Sequence, residues 1–228
     1  LSRAHDQIRM AALSNANMTL VGSHAGISIG EDGPSQMGLE DIAVFRALPN
    51  SIVLYPSDAI ATEKLVQLAA NIKGLKYIRT TRPKTPVIYS NYDLFPLGEF
   101  KVLRSSINDK AVIVGAGITV HEALKAYQKL RDIGVKVAVV DCYCIKPFNR
   151  NKFLELVRRS GNKVIVVEDH YPEGGIGEMI MHELSGTDIV VKSLAVNKMP
   201  HSGKPEVLMD KYEINDKAII ESVKELLR

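Results

Sequence analysis

Cysteine is scarce in this chain. Its two residues, Cys142 and Cys144, are separated by one position. They are too close along a strand end to pair well with each other, and they form half of no zinc pattern. They read as reduced, structural thiols, which argues against a disulfide scaffold and suits a cytoplasmic protein. Long apolar runs are missing too. No stretch approaches the roughly 20 residues of a membrane span, and no signal-peptide pattern opens the chain, so a membrane is not expected as a partner. Charge of one sign does not dominate: 29 Lys and Arg against 26 Asp and Glu leave +3. The basic residues are scattered rather than gathered in a stripe, so nucleic acid is not expected either. The histidines and acids show no metal-ligand spacing, and there is no internal repeat, low-complexity tract or heptad.

What the chain does contain is ordinary globular material. Hydrophobic residues make up 46 % and charged residues 24 % of 228 positions, enough for one large or two small domains. The chain opens on Leu1 within a helical pattern, and so reads as part of a longer polypeptide.

The periodicity divides it in two. In residues 1–83, Ala4, Ile8, Ala11 and Ala12 share a helical face, and Met18 to Val21 reads as a strand. Leu39 to Leu48 is a helix stopped by Pro49-Asn50, Ser51 to Tyr55 a buried strand, Leu65, Leu68, Ala69 and Ile72 a helical stripe, and Leu75 to Arg79 a strand. Residues 84–105 hold Pro86, Pro96 and Gly98 without a helical period; they read as a linker with a short strand at Val87 to Tyr89. From 106 to 228 the alternation resumes, with strands at Ala111–Val114, Val135–Asp141, Lys163–Glu168 and Val190–Val196 between helical stripes. Such repetition with short joints predicts an α/β fold of two consecutive parallel-sheet domains with right-handed crossovers.

The most informative stretch runs from Gly22 to Gln36. Four glycines and Pro34 interrupt it, so it cannot be regular throughout. It follows a strand, where ligands bind in open parallel sheets. It carries His24, Glu31, Asp32, Ser35 and Gln36. By residue type alone, a loop histidine most often caps backbone and an aspartate before Gly-Pro orders the turn. The same pair is also suited to the hydroxyls and carbonyl of a small polar substrate. Arg82, ahead of Pro83, is held out of helix. It suits either a surface ion pair or a bidentate grip on phosphate.

This loop, Gly-Ser-His followed by Gly-Glu-Asp-Gly-Pro-Ser-Gln, resembles the substrate loop of transketolases. So do Arg3-Ala4-His5-Asp6-Gln7-Ile8-Arg9-Met10, Leu54-Tyr55-Pro56-Ser57-Asp58, Arg79-Thr80-Thr81-Arg82-Pro83, Val167-Glu168-Asp169-His170 with Gly174-Gly175-Ile176-Gly177-Glu178, and His201-Ser202-Gly203-Lys204-Pro205. These ordered blocks run nearly end to end, where a lone glycine motif would mean little.

The resemblance implies a thiamine-diphosphate-binding pyrimidine domain, N-terminally incomplete, over residues 1–83 and a transketolase C-terminal domain over 106–228. It implies transfer of a two-carbon ketol unit from a ketose phosphate to an aldose phosphate (the xylulose 5-phosphate and ribose 5-phosphate class) in the pentose phosphate pathway. The cofactors would be thiamine diphosphate and Mg2+ or another divalent cation. By the same resemblance, His24 is a catalytic and substrate-binding residue at the donor's C1 hydroxyl and carbonyl, and Asp32 takes the C2 hydroxyl. Arg82 binds the phosphate, with Thr81 adding a hydroxyl, and Gln36 contacts the pyrimidine. Glu31 is expected to support the loop, and Arg79 to be structural.

The metal-binding diphosphate domain of the family, and the glutamate that activates thiamine, have no counterpart here. The chain is therefore expected to work as a homodimer of a longer protein or with a separate N-terminal subunit, and to be inactive alone. Deoxyxylulose-phosphate synthase, a β-type subunit of a 2-oxo acid dehydrogenase and a non-catalytic dimerisation module are the alternatives. Gly115-Ala116-Gly117 reads as a tight turn, and Glu168, Asp169 and His170 as a structural network.

Overall fold

The computed structural model describes residues 1–228. In the first half, helix α1 (His5–Leu13), strand β1 (Met18–Gly22), helix α2 (Asp41–Ala47), strand β2 (Ile52–Leu54), helix α3 (Ala59–Asn71) and strand β3 (Leu75–Arg79) alternate. The second half contains β4 (Lys101–Arg104), β5 (Val112–Gly115), α4 (Ile118–Asp132), β6 (Ala138–Asp141), β7 (Cys144–Lys146), α5 (Arg150–Arg159), β8 (Lys163–Val167), α6 (Ile176–Glu183), β9 (Val190–Leu194), α7 (Pro205–Lys211) and α8 (Asp216–Leu227). Local chemistry sets several of these boundaries. Asp58, Asn149 and Asn215 cap α3, α5 and α8 by accepting from backbone N–H groups, and Pro205 opens α7 where no N–H is needed.

Two sheets result, in the orders β1-β3-β2-β7 and β4-β6-β5-β8-β9. Their interior pairs are parallel, and the Val- and Ile-rich central strands β5, β6 and β8 are almost wholly buried, as parallel strands covered on both faces must be. The α/β, two-domain expectation therefore holds, with one antiparallel edge strand added to each sheet. β4 runs antiparallel to β6, and β7 crosses from the second half to pair antiparallel with β2 in the first. A single apolar cluster joins Val53, Tyr55 and Tyr77 of the first sheet to Val114, Val140 and Val166 of the second.

The connection between the halves is well anchored. No strand forms at Val87 to Tyr89. The N–H groups of Ile88 and Tyr89 instead donate to one oxygen of the Asp58 carboxylate, at 2.7 and 3.0 Å. Farther on, Phe95 and Phe100 are buried before β4 begins. The Tyr89 hydroxyl donates to Asp141 Oδ2 at 2.7 Å, which also accepts from the Ser57 hydroxyl at 2.6 Å. Both cysteines are free and buried, and no helix is long and apolar enough to cross a membrane.

Burial pushes the Asp141 carboxyl up to about 7, against the pull of its two hydroxyl donors. The folded chain therefore holds a proton there that the unfolded chain releases near pH 4. Stability from this group is greatest at low pH and is lost as pH rises through 7. Asp141→Asn keeps an acceptor for both hydroxyls without the charge. In urea titrations it should match the parent near pH 4 and be more stable by about 1–3 kcal/mol at pH 8. A variant less stable than the parent at pH 8 would show that the charged form is the favoured one.

Candidate active site

The loop after β1 is closed on itself by backbone pairing. Gly26 N–H donates to Gly38 O at 2.8 Å, and Gly38 N–H to His24 O at 3.1 Å. Its root is tied to the end of β3, where Thr80 N–H donates to Gly22 O and Ala25 N–H to Thr80 O. His24 lies at φ 63°, a left-handed conformation uncommon for a non-glycine residue. Mid-loop, a 3₁₀ turn over Ile27–Ile29 is buried. Ile27, Ile29, Met37 and Leu39 join Ile113, Val139, Val167 and Leu208 in the core of the second half. The loop thus belongs to the first half by sequence and packs into the second.

Three glycines permit this approach. A side-chain carbon on Gly26 would lie 2.0 Å from Asp169 Oδ2, one on Gly30 2.9 Å from Gly203 O, and one on Gly33 2.6 Å from Ser202 Oγ. All three also take positive φ.

Beneath the loop lies Arg79, with a fully buried side chain. Its Nε donates to Asp41 Oδ2 at 2.8 Å, and its Nη2 to Gly38 O at 2.8 Å and Asp169 O at 2.9 Å. Its guanidinium carbon stands 4.6 Å from the centre of the Tyr55 ring. The Tyr77 hydroxyl donates to the same Asp41 oxygen at 2.6 Å, and the Tyr77 ring stacks on Phe45 at 3.9 Å. Burial alone would raise the Asp41 carboxyl, but the Arg79 charge and these hydrogen bonds outweigh it and hold Asp41 below the usual carboxylate range. Arg79 is structural, as expected from sequence, and also central.

A cavity of about 560 Å³ opens beside this network, lined by His24, Asp32, Gln36, Asp41, Phe45 and Tyr77 among others. Three of the four sequence-predicted site residues thus share one cavity. Arg82, the fourth, is not in its wall but reaches it through Asp32: Nη1 donates to Asp32 Oδ2 at 2.8 Å, with both side chains part-exposed. His24 Nδ1 and Ser23 Oγ share a hydrogen bond of 3.0 Å. Thr81 lies instead on a second, smaller cavity with Thr80, Lys84 and Thr85. Glu31 is exposed and forms no ion pair or side-chain hydrogen bond within the loop, so the support expected from it is not found.

Glu168 and Asp169 of the second half are buried and do not line the cavity. Glu168 accepts from Ile176 and Gly177 N–H at the start of α6, so that glycine turn is filled by the chain's own carboxylate. Burial pushes Glu168 up to about 8 despite those bonds. Burial, with the Arg79 charge, lowers His170 to about 4, leaving a neutral ring that shares its Nδ1 with Tyr171 O at 2.6 Å. Asp169 turns to the loop, where its carboxylate accepts from Ile27 N–H at 2.7 Å and Ser28 N–H at 3.2 Å. Sequence reasoning gave Asp169, Asp41 and the Ser202 turn no part in the site. The only trace of them was the glycine spacing of the loop and the unexplained His-Ser-Gly-Lys-Pro block. No group of three or more His, Cys, Asp or Glu is arranged to hold a metal ion.

Comparison with known proteins places this geometry. The family model for the transketolase pyrimidine-binding domain matches residues 1–87, and that for the transketolase C-terminal domain residues 98–219. The chain is 53 % identical over 228 residues to transketolase-like protein 1 of Bos taurus, covering all of this chain and 38 % of that protein. It is 49 % identical over 227 residues to human transketolase, covering 99 % of this chain and 36 % of that one. It therefore spans little more than a third of the length of these relatives. Among solved structures, a split-gene transketolase described as an inactive β4 tetramer matches with a TM-score of 0.86 and 31 % identity, over 98 % of this chain and 71 % of that chain.

The Arg79 network gives a direct test of what holds the loop. Arg79→Met fills the space but leaves Asp41 without its cation, and removing one partner of a buried pair costs about 3–5 kcal/mol. Denaturant titration should report a loss of that size, largely restored by adding Asp41→Asn. A loss under about 1 kcal/mol, the level of a surface pair, would contradict the central role given to Arg79.

Proposed function

The chain belongs to the transketolase family, and from that premise we propose that it forms the pyrimidine-side half of a ketol-transfer site. In this reading a two-carbon unit passes from a ketose phosphate to an aldose phosphate, the reaction type of the pentose phosphate pathway. The observation that carries it is the convergence of His24, Asp32 and Gln36 on one cavity, with Arg82 joined to Asp32 at the cavity's edge.

The cavity wall fits a thiamine pyrimidine. Leu1, Met37, Val44 and Phe45 offer apolar surface for a flat ring, and the Gln36 amide offers both a donor and an acceptor beside them. When bound, the cofactor supplies the electron sink that cleavage of a carbon–carbon bond beside a carbonyl requires. The diphosphate and its divalent cation are assigned to the part of the longer relatives that lies outside this chain. That part would come from a homodimer of a longer protein or from a separate subunit, so the chain alone is proposed to be inactive.

The chain's own residues then bind and orient. The His24 imidazole, which can both donate and accept at its ring nitrogens, exchanges protons and hydrogen bonds with the C1 hydroxyl and the carbonyl oxygen of the donor sugar. Asp32 accepts from the C2 hydroxyl and selects its stereochemistry, because a site built to pair a hydroxyl is left unpaired by the wrong epimer. Arg82 grips the phosphate. Its exposed pairing with Asp32 is worth about 0–1 kcal/mol, so a dianionic phosphate readily draws the guanidinium round.

Reconstitution tests this. The chain, joined to or mixed with its diphosphate-binding counterpart, thiamine diphosphate and Mg2+, should convert xylulose 5-phosphate plus ribose 5-phosphate. His24→Ala should lower kcat/KM about 10²–10⁴-fold, the usual range for a lost proton-transfer group. Arg82→Ala should raise KM for phosphorylated ketoses while hardly changing an unphosphorylated one. Consumption of pyruvate with glyceraldehyde 3-phosphate in place of ketol transfer would favour the synthase and reject this reading.

A further inference from the structure

Asp169 sits just beyond β8, in the half of the molecule to which sequence reasoning gave no part in chemistry, yet its side chain is committed to the loop that carries His24, Asp32 and Gln36. It is 1 % exposed. One carboxylate oxygen accepts from Ile27 N–H at 2.7 Å, the other from Ser28 N–H at 3.2 Å. These are the first N–H groups of the buried 3₁₀ turn, which has no side-chain cap of its own. The Asp169 backbone is held in turn by Arg79 Nη2 at 2.9 Å. Gly26 lies so close that a side-chain carbon there would fall 2.0–2.4 Å from the three carboxyl atoms. A buried carboxylate satisfied by loop backbone resists every motion that would leave it unpaired.

Resting on the ketol-transfer reading, we infer that Asp169 is a positioning residue of the reaction: it fixes the backbone from which His24 and Asp32 reach the substrate, and so makes the C-terminal half a working part of the site. Asp169 does not line the cavity, so it acts through the loop and not on the sugar. His24 depends on such support, because its left-handed backbone persists only where the surroundings impose it. A displacement of about 1 Å in a positioned group can cost about 100-fold in rate.

The test uses the complete enzyme that contains this chain, with four single variants, and reads both steady-state kinetics and amide hydrogen exchange. Asp169→Ala removes both acceptors. It should lower kcat/KM for the ketose phosphate about 100-fold, through kcat as well as KM, and speed exchange at Ile27 and Ser28 at least ~10-fold. Asp169→Asn keeps one acceptor and should recover about half of that loss on a logarithmic scale, since one of the two bonds survives. Gly26→Ala breaks the same contact from the loop side. Because φ at Gly26 is 79°, an alanine there also strains the backbone, so its loss should be at least as large as that of Asp169→Ala. Glu168→Gln, in the neighbouring acid that serves only α6, should lower stability and leave kcat/KM within about threefold.

Should Asp169→Ala not fold, the Asn and Gly26 variants carry the comparison. If kcat/KM per folded enzyme stays near the parent's while only stability falls, Asp169 is a core residue and the inference fails. If the parent itself transfers no ketol unit, the functional reading fails. Unchanged exchange at Ile27 and Ser28 then overturns the anchoring of the loop by Asp169 independently, and accelerated exchange upholds that anchoring alone.

Discussion

A charged guanidinium with no access to water organises the centre of this protein. Arg79 stands at the end of β3 and holds three things at once: the Asp41 carboxylate at the start of α2, the Gly38 carbonyl at the foot of the loop that follows β1, and the Asp169 carbonyl of the second half. Charge-assisted bonds of this kind are directional, and none can be replaced by water at this depth. The far end of the loop, the first sheet and the second domain are therefore held in one geometry by one side chain. Packing alone would not impose this, because apolar contact has no preferred direction.

The two halves are interleaved rather than adjoined. β7 leaves the second half to complete the first sheet, and the loop leaves the first half to enter the second core. Asp58 and Asp141 bind the connection from either side. A cavity walled by residues of the first half thus has its shape set by the second. This gives a physical role to a C-terminal region whose acids and histidine never meet the cavity.

Much of this was legible in sequence. The parallel α/β alternation follows from continuous Val and Ile runs between helical stripes, and the loop's exposed chemistry from glycines and polar residues after a strand. His24, Asp32 and Gln36 were singled out by the family resemblance of one contiguous stretch, and they share one cavity wall. What escaped was long-range. β4 (Lys-Val-Leu-Arg) and β7 (Cys-Ile-Lys) are antiparallel edge strands without the continuous apolar runs by which the central strands are read. The strand read at Val87 to Tyr89 has the right composition, but the Asp58 carboxylate takes the backbone N–H groups a sheet would have used. Asp169 looked like a member of a second cluster because its true partner, the backbone of Ile27 and Ser28, lies more than 140 positions away, and backbone carries no residue-type signature.

The borrowed strand has a consequence for how such a protein can be divided. β2 is closed on its outer side only by β7, so severing the chain between the halves would strip one sheet of its last rung and bare a row of amides and carbonyls to any passing strand. The fragments would each carry an unfinished surface, one sticky along β2 and the other missing the loop that plugs its interior. This join therefore has to be inherited whole.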